Sequence, residues 1–130
     1  LEQASRPQIF SNALPPTVSA SSLQALRMLA RDPGRVQELQ RKVEVCRAML
    51  RERGYDVNDH PSAIIPIMIG DTAKAIAASA ALLARGVFVT GFGFPVVPEG
   101  TARIRVQVSY AHTEDDFVRF MDALDAVLRG

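Results

Sequence analysis

The sequence predicts an α+β domain in which helices pack on a small mixed sheet, in the order α-α-β-α-β-β-α. Three observations predict this class. Four segments repeat apolar residues at three- and four-residue spacing, which is typical of amphipathic helices. Two apolar runs, "AIIPIMIG" and "VFVT", have the length of strands, and residues 102–108 alternate polar and apolar side chains. The 130 residues suffice for one domain with a buried core.

The first two helices are separated by Asp32 and Pro33, an N-cap followed by a proline at the first helical position. Before this break, the first helix follows two consecutive prolines and carries leucines at positions 23, 26 and 29. After it, the second helix is predicted to end at Gly54. An apolar stripe runs along the second helix and consists of Val36, Leu39, Val43, Cys46 and Leu50.

The last two helices are predicted from their caps. Asp71 caps an alanine-rich helix that runs to Arg85 and is closed by Gly86. Thr113 and Asp116 have the spacing of a capping box at the start of the final helix. The strands must therefore lie in the segments between these helices.

The residues of the strands indicate where each strand lies in the sheet and which side chains share a face. Pro66 has no N–H to donate to a ladder, so the strand in "AIIPIMIG" is predicted to lie at a sheet edge or to be bulged. "VFVT" is predicted to be a short buried strand. In the last strand, Arg103, Arg105 and Gln107 share one face, and Ile104, Val106 and Val108 share the other.

Arg103 and Arg105 are the leading candidates for ligand binding. A guanidinium group holds a carboxylate or phosphate through two parallel hydrogen bonds. A rigid strand would fix the orientation of such a small acidic ligand. Exposed arginines on half-buried strands are nevertheless common, so the spacing alone favours a solvent-facing role.

Two further stretches are weaker candidates. In the loop "GFGFPVVPEG", Gly91 and Gly93 permit unusual backbone angles or a close approach, and the loop is either a wall beside a ligand or a stiff connection between strands. In "FSNALPP", Ser11 and Asn12 are able to donate hydrogen bonds to a phosphate. Polar pairs before a helix are more often caps.

The composition excludes several function classes. A net charge of +1 gives no electrostatic footprint for nucleic acid, and the apolar runs are too short for a membrane span. The single cysteine, Cys46, excludes an internal disulfide and fits a cytoplasmic location. His60 and His112 lie far apart without clustered carboxylates, so no metal site is expected. Cys46 and His112 are expected to be structural, and Lys42 and Lys74 to be solvated.

Three stretches in this order resemble the C-terminal third of the α-oxoamine synthases: "RPQIFSNALPP", "AIIPIMIGD" and "GVFVTGFGFPVVPEGTARIRVQVSYAHT". Members of that family are pyridoxal-phosphate (PLP) enzymes of fold type I that condense an amino acid with an acyl-CoA thioester. The likeness is greatest to the glycine C-acetyltransferase branch, the 2-amino-3-ketobutyrate coenzyme A ligases. The resemblance implies the small C-terminal domain of the aminotransferase-like fold.

The resemblance also implies roles for individual residues. Arg105 matches the arginine that binds the substrate's α-carboxylate. Arg103 matches a more variable position of the family and is assigned no role. Ser11, and with it Asn12, falls where the family reaches across a dimer interface to the cofactor phosphate. The proline-rich loop would line the active-site mouth. Residues 1–18 would be an interface arm and linker, and residues 19–130 the small domain.

The resemblance finally implies a deficit. The lysine that binds the cofactor covalently, the aspartate facing its pyridine nitrogen and the histidine stacked on its ring all lie upstream in the family. None of these sequence contexts is present here, so no catalytic residue is expected and this segment alone should be inactive. The chain is interpreted as the C-terminal portion of a longer, homodimeric enzyme.

The parent enzyme would condense glycine with acetyl-CoA to 2-amino-3-oxobutyrate, in threonine degradation. Two alternatives stay open at this point. The first is a sibling enzyme of the 8-amino-7-oxononanoate synthase or serine palmitoyltransferase type, with another acyl donor. The second is a non-catalytic α+β domain that binds an acidic small molecule at Arg105.

Overall fold

The computed structural model describes residues 4–6 and 11–130 of the chain. Within these residues the helices and strands follow the predicted order α-α-β-α-β-β-α, which is therefore confirmed. The helices are α1 (Pro16–Arg31), α2 (Gly34–Glu52), α3 (Thr72–Ala84) and α4 (Glu114–Leu128), and the strands are β1 (Ile64–Gly70), β2 (Thr90–Phe92) and β3 (Ala102–Gln107).

The chain divides into two compact units, residues 1–35 and residues 36–130. The first unit contains α1, which begins at Pro16 and has no buried residue. Leu23, Leu26 and Leu29 of this helix are all exposed. Residues 1–3 and 7–10 of the expected interface arm lie outside the described residues, and the expected boundary after residue 18 stays a prediction.

The second unit contains a three-stranded sheet in the order β1-β3-β2. Both pairings are antiparallel, so the mixed sheet expected from the sequence is wrong for the described strands. The physical reason is the position of β3. The chain crosses from β1 through α3 to β2, which runs in the same direction as β1, and β3 then returns between the two.

The prediction that Pro66 lies in an edge strand is confirmed, and the predicted bounds of the second strand are wrong. Pro66 lies in β1, an edge strand with an irregularity between Met68 and Gly70. The second strand spans Thr90–Phe92 rather than residues 87–90, and Phe88 is 83% exposed rather than buried. Gly91 of β2 packs closely against α3, because a Cβ on it would lie 2.6 Å from the Ala75 carbonyl oxygen.

The core lies on one face of this sheet, where α2, α3 and α4 pack. Of the predicted stripe of α2, Val43, Cys46 and Leu50 are buried there, with Cys46 packed as a small hydrophobic residue, whereas Leu39 is half-buried and Val36 is exposed. The capping box of Thr113 and Asp116 at the start of α4 is confirmed. The core includes Val43, Leu50, Ile65, Ile67, Leu82, Ile104, Val106, Phe117, Phe120, Met121 and Leu124.

The turn before α4 corrects the expectation for Lys42. Its side chain is 18% exposed, and its Nζ donates hydrogen bonds to the carbonyl oxygens of Tyr110 and His112, each at 2.7 Å. His112 is structural, as expected, because its Nδ1 accepts a hydrogen bond from the Ser109 N–H. Lys42 therefore ties α2 to this turn rather than being solvated. Lys74 is exposed in the first turn of α3, as predicted.

The C-terminal ends of α2 and α4 are joined by a polar cluster. The Tyr55 hydroxyl donates to Asp125 at 2.5 Å, and Arg53 donates to Asp125 at 2.6 Å and to Asp122 at 3.1 Å. These hydrogen bonds hold the pKa of Asp125 below its ordinary value of 3.8. Desolvation, together with the hydrogen bond to Asp125, raises the pKa of Tyr55 to about 12.

These two pKa shifts predict how the cluster's contribution depends on pH. Asp125 stabilises the fold above its unfolded pKa of about 4, and this stabilisation is lost as the pH falls from there towards its lower folded pKa. Protonated Tyr55 stabilises the fold below its unfolded pKa, and this stabilisation is lost as the pH rises from about 10 towards 12. Tyr55→Phe is therefore expected to lower the free energy of unfolding by about 1 kcal/mol at pH 7. Urea unfolding at pH 7 and pH 3 checks this, and an equal loss at both would contradict it.

Candidate active site

The two candidate arginines lie on the face of the sheet opposite the core. In the ladder, Arg105 is directly opposite Pro66 of β1 and Thr90 of β2, and Arg103 is opposite Phe92. Residues directly opposite in an antiparallel pair project to the same side of the sheet. The two guanidinium groups thus project from a surface whose backbone is hydrogen-bonded on both sides.

The contacts of the two arginines differ. The Arg105 guanidinium lies over the Phe92 ring, 4.8 Å from its centroid, in a cation–π contact. Arg103 donates from Nε to the carbonyl oxygen of Thr101 at 3.0 Å. Within residues 4–6 and 11–130, neither arginine has a carboxylate within 4.0 Å, whereas many of the other arginines do. This face therefore carries positive charge that an anionic ligand would neutralise.

A cavity of about 370 Å³ brings these arginines together with polar and apolar side chains. Arg103, Arg105 and Phe92 form one side of it. The remaining lining comes from the segment before β1 and from β1 itself, and consists of Asn58, His60, Ser62, Ile64 and Pro66. Of the loop "GFGFPVVPEG", Phe92 alone among the described residues lines this cavity, and the assignment of the loop to an active-site mouth stays a prediction. Gly93 of the loop serves a close approach, because a Cβ there would lie 2.3 Å from the Thr72 side chain.

The polar wall of the cavity is held by Arg47, a residue that sequence reasoning missed. Arg47 is 1% exposed, and its guanidinium donates to the carbonyl oxygens of His60 at 2.6 Å and Ser62 at 3.4 Å. It also pairs with Glu44 at 2.8 Å. A signal was present, because positions 43, 46, 47 and 50 have the spacing of a helical stripe and place this arginine within it.

A larger cleft of about 710 Å³ also borders Arg105. It follows the end of β3 beyond its pairing with β2 and is lined by Phe117 and Phe120 of α4. Cys46 lies at its base, and burial raises the pKa of this thiol to about 11. Since the thiolate is the nucleophilic form, Cys46 is not suited to covalent catalysis.

Ser11 and Asn12 lie before α1, in the first unit. The Ser11 Oγ accepts a hydrogen bond from the Ala13 N–H at 3.3 Å, and Asn12 has a φ of 50°. Both residues are exposed. Their assignment to the cofactor phosphate stays a prediction.

The described part of the chain has neither a metal-binding cluster nor a membrane-spanning helix. Residues 4–6 and 11–130 contain no group of three His, Cys, Asp or Glu side chains able to hold a metal ion. In the same residues, no helix has both the length and the hydropathy needed to span a bilayer.

Comparison with known proteins identifies the class. The family model described as aminotransferase class I and II matches residues 1–124, and the chain belongs to this family. Within it, the relatives are α-oxoamine synthases. The chain is 40% identical over 131 residues to the mitochondrial 2-amino-3-ketobutyrate coenzyme A ligase of Mus musculus, covering 99% of this chain and 31% of that protein. It is 43% identical over 125 residues to the 8-amino-7-oxononanoate synthase of Anaeromyxobacter dehalogenans, covering 96% of this chain and 32% of that protein.

Solved structures confirm the fold. The Sphingomonas wittichii serine palmitoyltransferase superposes with a TM-score of 0.83 at 25% identity, covering 98% of this chain and 33% of that one. A serine palmitoyltransferase solved with PLP gives 0.84 at 27% identity, with the same coverage. The predicted aminotransferase-like fold is confirmed. The chain spans about a third of the length of these relatives, and their identities do not separate the two activities.

Proposed function

We propose that this chain is the C-terminal portion of a PLP-dependent acyltransferase that condenses glycine with acetyl-CoA to 2-amino-3-oxobutyrate. The observation that carries the proposal is Arg105, which lies on a hydrogen-bonded strand above a cavity and has no carboxylate partner within the described residues. Relatives named 2-amino-3-ketobutyrate coenzyme A ligase match almost the whole chain and favour glycine as the amino acid.

Arg105 binds and orients the amino acid in this proposal. Its guanidinium accommodates the α-carboxylate through two parallel hydrogen bonds. These bonds hold the carboxylate in place and so limit the orientation of the bonds at the substrate Cα. The stacking on Phe92 limits the freedom of the guanidinium before the substrate binds. Orientation of this kind is worth several kcal/mol of barrier, on the order of a few powers of ten in rate.

PLP, when bound, supplies the electron sink for breaking a bond to the substrate Cα. The residues present fit its phosphate group in one respect. Ser11 accepts a hydrogen bond from Ala13, and its own O–H is directed to no partner in the described residues, so it is able to donate to a phosphate. Asn12 would add an amide donor beside it. Both residues would reach across the interface of a homodimer to the cofactor phosphate of the other subunit.

The lysine that holds the cofactor is proposed to lie outside this segment. Only Lys42 and Lys74 are present in the sequence, and Lys42 is occupied by two carbonyl oxygens. Neither lysine lines the cavity at Arg105. The segment by itself is therefore proposed to be inactive. We propose a cytoplasmic location because Cys46, the one cysteine of this segment, forms no disulfide, although the Mus musculus relative is named as mitochondrial.

The proposed homodimer implies that the isolated chain associates with itself. Because Leu23, Leu26 and Leu29 of α1 are exposed, the chain is expected to associate with a second copy through this helix and to bind an apolar dye. Light scattering after size exclusion, with dye fluorescence, checks this. Leu26→Glu should weaken both signals. A monomer at high concentration without dye binding would contradict the prediction.

A sibling activity is the second candidate, since the Anaeromyxobacter dehalogenans relative is an 8-amino-7-oxononanoate synthase of 43% identity. The experiment is to measure CoA release by the full-length enzyme with PLP, comparing acetyl-CoA plus glycine against long-chain acyl-CoA with other amino acids. Faster release with acetyl-CoA and glycine supports the proposal. A preference for a long-chain thioester would replace it with the sibling activity.

A further inference from the structure

Phe92 lies between two glycines that pack closely against a helix. A Cβ on Gly91 would lie 2.6 Å from a backbone carbonyl oxygen of α3, and a Cβ on Gly93 would lie 2.3 Å from the Thr72 side chain at the start of that helix. The Phe94 N–H also donates a hydrogen bond to the Thr72 Oγ1 at 3.1 Å. These contacts on both sides of Phe92 leave its backbone little room to shift relative to α3.

The ring of Phe92 projects to the other face of the sheet, where the two arginines lie. Phe92 is directly opposite Arg103 in the ladder, so its side chain leaves the sheet on the same side as Arg103 and Arg105. The ring centroid lies 4.8 Å from the Arg105 Cζ, and the ring lines the cavity of about 370 Å³. An aromatic ring on a closely packed backbone is a rigid wall beside Arg105.

A carboxylate bound to Arg105 brings the substrate Cα close to this wall. Hydrogen bonds of about 2.8 Å join the carboxylate oxygens to the guanidinium nitrogens, and Cα follows one carbon–carbon bond beyond the carboxyl carbon. The Phe92 ring centroid is 4.8 Å from the same guanidinium. A substituent on Cα that extends towards β2 therefore competes with the ring for space. Glycine carries only hydrogen atoms on Cα and avoids this overlap.

We propose that Phe92 is a specificity-determining residue that selects glycine over amino acids with a side chain. This inference rests on the proposed function, in which Arg105 binds the amino-acid carboxylate. The ring excludes the Cβ of an amino acid such as alanine or serine from the space beside Arg105. Gly91 and Gly93 allow the close packing on α3 that keeps the ring in this place.

The test compares two amino acids in the full-length enzyme with PLP and acetyl-CoA. CoA release gives kcat/KM for L-alanine and for glycine, and the ratio of the two values is the quantity compared. Phe92→Val removes the ring and should raise this ratio at least about tenfold, because one carbon of misfit in an apolar pocket is worth about that factor. Phe92→Leu is a second variant without the ring and should also raise the ratio. Phe92→Tyr keeps the ring and should leave the ratio unchanged.

The control is the next aromatic residue of the chain. Phe94 is 60% exposed and does not line the cavity, so Phe94→Val should leave the ratio unchanged. Loss of the contact between Phe92 and Arg105 would by itself weaken the binding of both amino acids alike. It would raise both KM values without altering the ratio, so the ratio separates selection by size from positioning of Arg105.

Two results would overturn the inference alone. One is a ratio in Phe92→Val and Phe92→Leu that is no higher than in the unaltered enzyme, and the other is an equal rise in Phe94→Val. If the unaltered enzyme releases CoA with glycine, both results leave the proposed function standing and remove only the role of Phe92. Absence of CoA release with glycine in the unaltered enzyme would instead overturn the proposed function, and the inference with it.

Discussion

Replacing Arg105 with alanine in the full-length enzyme is expected to raise KM for glycine at least tenfold. The guanidinium has no carboxylate partner within the described residues, so its charge is available to the substrate. Removing it would leave the bound carboxylate unpaired, which costs about 2–5 kcal/mol. A tenfold change in KM corresponds to about 1.4 kcal/mol, below the lower end of that range. Steady-state kinetics with varied glycine and saturating acetyl-CoA measures the effect.

The control for Arg105 is its neighbour on the same face. Arg103→Ala removes the same group two residues away and should leave KM for glycine nearly unchanged. Arg105→Lys should recover only part of the loss, because an ammonium group does not reproduce the paired hydrogen bonds of a guanidinium. If Arg105→Ala left KM for glycine unchanged, the carboxylate assignment would fail.

Arg47→Ala is expected to have the largest effect on stability, lowering the free energy of unfolding by about 3 kcal/mol. The side chain is 1% exposed, and its removal leaves the carbonyl oxygens of His60 and Ser62 without their donor. It also opens a void beside the core residues of α2. Urea unfolding of the 130-residue chain measures the change.

The matched control lies one turn further along α2. Arg51 is 43% exposed, and its partner Asp59 is 91% exposed, so Arg51→Ala should cost less than about 1 kcal/mol. Arg47→Lys should restore part of the stability, because an ammonium group still donates to the two carbonyl oxygens. A loss for Arg47→Ala no greater than that for Arg51→Ala would show that the buried guanidinium does not hold the cavity wall.

The fold was predictable because its local signals agree. Asp71 and the capping box at Thr113 set helix starts, and Pro66 indicated an edge strand, all as the structure has them. The sheet type was not predictable, because strand order depends on long-range pairing. The start of β2 was also missed, because this strand is defined by its pairing with β3, where Thr90 is opposite Arg105.

The candidate site was predictable only in part. Alternation placed Arg103 and Arg105 on one face, but spacing alone favoured a solvent-facing role, and only the resemblance pointed to Arg105 as a carboxylate ligand. The structure adds two facts: neither arginine has a carboxylate partner among the described residues, and both line the same cavity. Arg47 was missed because charged residues are rarely buried, so the helical stripe was read through its apolar members. Lys42 was missed because its two acceptors lie 68 and 70 residues away in the sequence.

The central claim is that this chain supplies a carboxylate-binding arginine to an enzyme whose cofactor lysine lies elsewhere in the same polypeptide. The most direct measurement is to sequence the coding DNA immediately upstream of the codon for Leu1. We predict a continuous reading frame that encodes a Ser-Lys pair followed by glycines a short distance before Leu1. A start codon with no such sequence before it would contradict the claim and leave a domain that binds an acidic ligand at Arg105 without catalysis.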